Sequence, residues 1–148
     1  MPALCTIGYQ RASLAAFLAC LRAADVEVVL DVRDAPTSRR PEFRKRALAR
    51  ALAAAGISYL HLGGLGNPKA GRDAARAGRL LEYQAIYLDR LAGDIGRRDL
   101  ARATTLAGSA RACLLCYEAD ARLCHRSLVA PRIAAALGLA VMDLAVAE

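Results

Sequence analysis

The 148-residue sequence has few aromatic residues, no long apolar run and no leader-like start. Aromatic side chains make up 5% of the residues, which disfavours recognition of single-stranded nucleic acid by base stacking. Hydrophobic residues reach 56%, but Arg, Asp or Glu interrupts them before the roughly 18 to 20 apolar residues of a membrane helix accumulate. We therefore expect no membrane span, and the cytoplasm is the expected location because no secretory leader is recognised.

Cysteine is present in an odd number and without the paired spacing of structural zinc sites. Without a secretory signal, this pattern predicts reduced thiols rather than a disulfide framework. A metal site would need ligands from distant segments, so no cofactor is predicted and a transition metal remains an alternative. The candidate ligands for that alternative are Cys116, Cys124, His61 and His125.

The formal net charge is +7, and every basic residue except Lys45 and Lys69 is arginine. Such a charge attracts anionic partners over long range. Codon bias explains an arginine-rich composition equally well, so the charge alone does not decide between the two interpretations. If the charge is functional, residues 39–50 and 97–102 are the segments expected to contact phosphates.

Strand-like and helix-like segments alternate along the chain, and the length suits a single domain over residues 1–148. This pattern predicts an α/β fold with three layers, in which a mostly parallel sheet of about five strands is covered by helices, as in Rossmann-like proteins. The strands are expected at 4–7, 26–32, 57–60, 112–117 and 141–146. The helices are expected at 14–21, 42–55, 80–91, 98–107 and 127–137.

Three local features refine this prediction. Gly56 suits the left-handed stop of the second helix. The glycines between Gly63 and Gly71 predict an irregular surface loop. Pro131 is expected in about the first turn of the last helix, where its missing N–H costs little.

Polar residues follow the first four strands, which predicts a ligand site at one edge of the sheet. Parallel strands place their C-terminal ends together, and open α/β sheets bind ligands there. The residues expected at this edge are Tyr9, Asp31, Arg33, His61, Cys116 and Glu118.

The segment from Cys116 to Arg126 carries the densest reactive chemistry. Residues two apart in a strand share a face, so Cys116 and Glu118 are expected together, with Cys113 pointing the other way into the core. Cys124 precedes a predicted helix start, where the helix dipole and Arg126 favour a thiolate. His125 is either a general base or a loop hydrogen-bonding residue, and Cys124 is alternatively an inert core residue.

A second polar segment follows the second strand. Asp31 and Arg33 alternate onto one side, so they form either a structural ion pair or a substrate-orienting pair. Ser38 and Arg39 could bind phosphate or carboxylate, although a solvated loop explains them equally well.

Four separated segments together resemble the domain-of-unknown-function 488 family of bacteria and archaea. They contain Thr6–Tyr9, Leu30–Pro41, Gly56–Gly66 and Leu115–Ser127. The resemblance implies an α/β domain without a settled activity and a suspicion of enzyme function. One departure is Ala121 in place of a frequent proline, which predicts a freer loop before Cys124. The positions that match the motifs are Asp31, Arg33, Ser38, Arg39, His61, Cys116, Glu118, Cys124, His125 and Arg126.

These observations favour a cytoplasmic thiol-dependent enzyme, a hydrolase or transferase, acting on a small anionic substrate. The expected catalytic residues are Cys116, Glu118, Cys124 and His125. The expected substrate-binding residues are Tyr9, Asp31, Arg33, Ser38, Arg39, His61 and Arg126. The alternatives are a nucleic-acid or nucleotide binding module with structural cysteines and a metal-binding protein. The oligomeric state is not predicted.

Overall fold

One parallel five-stranded sheet forms the centre of the computed structural model, which describes residues 2–147. In chain order the strands are β1 (Ala3–Gly8), β2 (Val28–Asp31), β3 (Ser58–His61), β4 (Ala112–Cys116) and β5 (Ala140–Asp143). Their order across the sheet is β3-β2-β4-β1-β5, and every neighbouring pair is parallel. The α/β class and the parallel sheet expected from the sequence are confirmed. Residues 1 and 148 of the expected domain lie outside the described residues.

Six helices cover the two faces of the sheet within the described residues. They are α1 (Leu14–Ala23), α2 (Lys45–Ala54), α3 (Lys69–Arg76), α4 (Leu80–Ala92), α5 (Asp94–Ser109) and α6 (Arg126–Leu137). Short 3-10 turns occupy Pro41–Phe43, Gly63–Leu65 and Ala121–Leu123. No helix among residues 2–147 is both long and apolar enough to cross a membrane.

Two separate apolar clusters hold these layers together. On one face, α1 and α2 bury residues such as Phe17 and Leu48 against the sheet. On the other face, α4 and α6 contribute residues such as Tyr87 and Ile133 to a second cluster. Cys113 belongs to the first cluster and Cys116 to the second, which confirms that the two thiols point to opposite faces.

The helix boundaries follow from local chemistry where the sequence carries clear signals. Ser13 caps α1 because its hydroxyl accepts a hydrogen bond from the Ala16 N–H at 3.1 Å. Gly56 follows α2 with φ of 77°, the left-handed conformation that glycine adopts most easily. Both features were expected from the sequence.

The segment from Gly63 to Gly71 is not the surface loop that its glycines suggested. Leu65 and Asn67 are buried, and the segment contains a 3-10 turn and the start of α3. A β-carbon on Gly66 would lie 2.3 Å from Asp34 Cα, so close packing rather than flexibility explains this glycine.

The last helix also differs from expectation. It begins at Arg126, one residue earlier than expected, with His125 in the N-cap position and Cys124 directly before that cap. Pro131 is the sixth residue of α6, beyond the first turn, where its ring replaces an N–H that would otherwise point back along the helix. The loop that was expected to be freer without the proline contains a 3-10 turn over Ala121–Leu123.

The strand order differs from the standard dinucleotide-binding order because β4 lies between β1 and β2. The chain leaves β1 towards α1 on one face and leaves β4 towards α6 on the other. These neighbouring strands therefore form a topological switch point. This topology is the kind that places ligands at a sheet edge.

Candidate functional site

Four side chains from the end of β4 and the segment after it come together at the C-terminal edge of the sheet. We call Cys116, Glu118, Cys124 and His125 the thiol cluster. Cys116 Sγ lies 3.3 Å from Glu118 Oε2 and 3.7 Å from His125 Nδ1. Cys124 Sγ lies 3.6 Å from the same Nδ1 atom. The expected catalytic residues are thus in mutual contact.

The chain reaches this arrangement by turning back on itself after β4. Cys116 is the last residue of the strand, and a 3-10 turn then returns the chain towards the start of α6. The Asp120 carboxylate begins the turn by accepting a hydrogen bond from the Arg122 N–H at 3.0 Å. The return places Cys124 and His125 beside Cys116.

Two contacts fix the orientation of the His125 imidazole. Its Nε2 lies 2.6 Å from the Val32 carbonyl oxygen, an acceptor, so Nε2 carries a proton. The Tyr87 ring packs edge-on at 5.1 Å between centroids. These contacts leave Nδ1 facing the two sulfur atoms.

The two thiols differ in their acidity. Burial raises the pKa of Cys116, but a hydrogen bond from Cys124 and the charge of His125 outweigh burial and bring that pKa well below its ordinary value. Burial and the negative charge of Cys116 raise the pKa of Cys124 well above the ordinary value. These shifts favour the thiolate at Cys116, whereas the predicted helix start had favoured one at Cys124.

The remaining two members of the cluster respond to this thiolate. Burial lowers the pKa of His125, but the charge of Cys116 and hydrogen bonds to Cys116 and Val32 outweigh burial and raise it. Burial and the Cys116 charge raise the pKa of Glu118. At neutral pH the arrangement favours a thiolate–imidazolium pair beside a carboxyl group that holds its proton more tightly than usual.

Tyr83, on α4, is a further residue near this site that the sequence did not indicate. The residue is 7% exposed, and its hydroxyl has no hydrogen-bond partner among the described residues. Burial raises the pKa of this hydroxyl, and the ionised forms of Cys124, Cys116 and Glu118 raise it further, so the thiol cluster belongs to its electrostatic surroundings. Only the packing of α4 over the sheet edge brings it there, and the helical pattern of α4 gave no sign of it.

Arg126 has a structural role at this edge. Its Nη1 donates to the Ile7 carbonyl at 3.0 Å and the Glu118 carbonyl at 2.8 Å, joining β1 to the loop after β4. Its buried Nε has no partner among the described residues. Gly8 allows this contact, because a β-carbon there would lie 1.8 Å from the Glu118 carbonyl oxygen.

A second set of polar side chains at the same edge forms a network of hydrogen bonds with one another. We call Asp31, Arg33, Tyr59 and Tyr9 the Asp31 network. Asp31 Oδ2 accepts from Arg33 Nη2 at 2.8 Å and from the Tyr59 hydroxyl, and Oδ1 accepts from Arg33 Nε at 2.9 Å. Arg33 Nη1 also donates to the Phe43 carbonyl at 2.8 Å. Asp31 and Arg33 thus form a structural ion pair.

The other expected substrate-binding residues lie apart from the thiol cluster. Tyr9 stacks on Phe43 with ring centroids 4.5 Å apart. His61 Nε2 lies 2.8 Å from the Arg33 carbonyl oxygen. Ser38 Oγ accepts a hydrogen bond from the Arg40 N–H, and Arg39 is exposed. None of these contacts joins the thiol cluster within the described residues.

One group of side chains among residues 2–147 could hold a metal ion. Cys116, Cys124 and His125 each offer one ligand atom, and these atoms lie within 4.8 Å of one another. His61 is not part of this group, although the sequence had suggested it as a ligand. Glu118 contacts Cys116 from one side of the group.

The fold and site define an α/β protein with a buried cysteine–histidine cluster at the C-terminal edge of a parallel sheet. The model of the family described as "Domain of unknown function DUF488" matches residues 13–133, and the chain belongs to this family. The resemblance seen in the sequence motifs is therefore confirmed. Comparisons with curated proteins and with solved structures gave no match.

Proposed function

We propose that the protein is a thiol-dependent enzyme in which Cys116 attacks a small substrate. The observation that carries this proposal is the position of Cys116 Sγ, 3.7 Å from His125 Nδ1 and 3.3 Å from Glu118 Oε2. A cysteine within reach of an imidazole is an arrangement that activates a thiol for nucleophilic catalysis. Either hydrolysis or group transfer fits this arrangement.

Each neighbour has a distinct part in the proposed chemistry. His125, oriented by the Val32 carbonyl, stabilises the thiolate as an imidazolium. Glu118 is the group that can give a proton to the departing atom, because it lies next to the sulfur that forms the new bond. Cys124 donates a hydrogen bond to the Cys116 thiolate before the attack.

The burial of the cluster limits the size of the substrate. Cys116 is 5% exposed, Cys124 is 2% and His125 is 6%, whereas Glu118 is half-buried at the rim. A small molecule, or a narrow group of a larger one, fits this access better than a flat macromolecular surface. The net charge of +7 supports an anionic substrate, and the cytoplasm and nucleic-acid binding stay predictions from the sequence.

The proposal is tested by measuring alkylation of each cysteine in the reduced, metal-free protein. Iodoacetamide is added at pH 7 and labelling is followed by peptide mass spectrometry. An ordinary thiol is about 3% thiolate at this pH, so we expect Cys116 to react about 30-fold faster than Cys20. Cys20 is half-buried and therefore more accessible than Cys116, so accessibility works against the expected result. Labelling of Cys116 no faster than Cys20 would contradict the proposal.

The reaction class is tested by trapping. Small esters, thioesters and phosphate esters are added separately, and covalent adducts on Cys116 are sought by mass spectrometry. Cys116→Ser is compared with Cys20→Ser, which keeps the whole thiol cluster. An adduct in Cys20→Ser that is absent in Cys116→Ser identifies the group that is transferred.

A further inference from the structure

At the same edge of the sheet, the distances between the sulfur and imidazole nitrogen atoms of the thiol cluster match those of a metal site. In a tetrahedral Zn²⁺ site, bond lengths of about 2.0–2.1 Å to nitrogen and about 2.3 Å to sulfur place the two ligand atoms about 3.6 Å apart. His125 Nδ1 lies 3.7 Å from Cys116 Sγ and 3.6 Å from Cys124 Sγ. One ion can therefore contact all three atoms with little movement.

The imidazole is oriented as a ligand would be. Metal-binding histidines usually donate their other ring N–H to a carbonyl or carboxylate, which fixes the ring and directs the free nitrogen at the ion. His125 Nε2 lies 2.6 Å from the Val32 carbonyl oxygen, and Nδ1 faces the sulfurs. The backbone carbonyl that directly follows β2 thus fixes the orientation of this ligand.

A buried hydroxyl without a hydrogen-bond partner within residues 2–147 is an electrostatic neighbour of two of these ligands. Tyr83 is only 7% exposed, and its hydroxyl makes no hydrogen bond among the described residues. Its electrostatic neighbours are Cys124, Cys116 and Glu118. A buried polar atom of this kind usually has a partner, such as water or another ligand, beside it.

We propose that Cys116, Cys124 and His125 bind one divalent transition metal ion, Zn²⁺ by preference. Two thiolates and an imidazole match the soft and borderline ligands that Zn²⁺ selects. Three protein ligands leave a fourth position for water or substrate. This inference goes beyond the proposed thiol function, because a bound ion uses the sulfur electron pair that the nucleophile needs.

The test measures Zn²⁺ retained by the reduced full chain. Metal is removed with a chelator, Zn²⁺ is added, and bound metal is determined by elemental analysis after gel filtration. We expect one ion per chain for the wild type and for Cys20→Ser. Cys124→Ser should lose more than about 100-fold in affinity, because even a lost supporting contact costs about 10- to 100-fold.

A second readout uses Co²⁺ and does not depend on any variant folding. Bound to the wild type, Co²⁺ should show thiolate-to-metal charge transfer together with tetrahedral d–d bands. Failure of the wild type to retain Zn²⁺, a Co²⁺ spectrum without thiolate charge transfer, or equal losses in Cys20→Ser and Cys124→Ser would each overturn the inference.

Different experimental results would contradict metal binding and the thiol-dependent activity. Fast alkylation of Cys116 in a protein that retains no Zn²⁺ overturns the inference and leaves the thiol function standing. Stoichiometric Zn²⁺ in a protein whose metal-free Cys116 reacts no faster than Cys20 supports the inference and contradicts the thiol function. If both succeed, added Zn²⁺ should protect Cys116 from alkylation.

Discussion

The Asp31 network and the thiol cluster lie at the same edge of one sheet, yet their polar groups are used differently. Asp31 is fully buried and both of its oxygens accept hydrogen bonds from Arg33, with Tyr59 adding another. In the thiol cluster, the sulfurs share one imidazole nitrogen and the nearby Tyr83 hydroxyl has no partner among the described residues. A saturated network stabilises a fold, whereas an unsaturated one leaves groups available to a ligand.

The largest expected effect is on stability, at the saturated network. Asp31→Asn leaves the buried Arg33 guanidinium without its counter-charge, so we expect the free energy of unfolding to fall by about 4 kcal/mol. Denaturant unfolding measures the change. Alkylation of Cys116 in the folded fraction should stay within about twofold of wild type, because Asp31 does not contact the cluster. A tenfold loss of that labelling would show that the two regions are coupled.

Gly8→Ala tests the backbone that supports the thiol cluster. The added β-carbon would lie 1.8 Å from the Glu118 carbonyl oxygen and 2.8 Å from Arg126 Nη1, so we expect a loss of about 3 kcal/mol. Gly108→Ala, in α5, is the matched control. Its β-carbon meets only Leu137 Cδ2 at 3.3 Å, and alanine favours the helix, so its stability should change by less than about 1 kcal/mol. Equal melting temperatures for the two variants would contradict this account.

His125→Gln tests the thiolate of Cys116. The pKa of Cys116 is lowered in the native protein, so its alkylation rate should stay high at neutral pH and fall only as pH drops through that lowered pKa. Removing the imidazolium raises the pKa again, so labelling at pH 7 should fall about 30-fold, which corresponds to about 2 kcal/mol.

The pH profile distinguishes this effect from misfolding. Labelling of His125→Gln should rise with pH and approach the wild-type rate above the ordinary thiol pKa. A rate that stays low at every pH would instead indicate that Cys116 has become inaccessible. Both profiles are measured on metal-free protein.

The smallest expected effects come from removing one hydroxyl in each region. Tyr59→Phe removes a donor from the Asp31 carboxylate, and we expect it to cost about 1.5 kcal/mol. Tyr83→Phe removes a buried hydroxyl without a partner, so it should be neutral or stabilise the metal-free protein by about 1 kcal/mol. Thermal unfolding of the two variants under identical conditions makes the comparison. Equal losses would mean that the Tyr83 hydroxyl is satisfied after all.

The sheet and the members of the thiol cluster were predictable because their signals are local. The apolar run before Cys116 indicated a strand, and the two-residue repeat of an extended chain put Cys116 and Glu118 on one face. The sequence favoured a thiolate at Cys124 because it suggested a helix dipole there, and it kept Cys116 as the other candidate. The structure instead has a hydrogen bond from Cys124 and the His125 charge, both acting on Cys116.

Other features depended on contacts between distant segments. The glycines from Gly63 to Gly71 resemble a flexible loop in sequence, but Gly66 is needed because Asp34 packs against it. Tyr83 looks like an ordinary buried residue of α4 until the helix is placed over the cluster. The position of β4 between β1 and β2 was likewise not readable, since strand order is set by packing rather than by local pattern.

The sequence by itself determined an α/β chain of parallel strands with Cys116, Glu118, Cys124 and His125 in one turn, because periodicity and short-range spacing act within a few residues. Tertiary structure alone decided which groups surround each thiol, which arginines are used in the fold, and that the Val32 carbonyl orients the imidazole. These outcomes depend on burial and on distances between atoms far apart in the chain, and a pKa or a hydrogen bond responds to those distances rather than to sequence spacing.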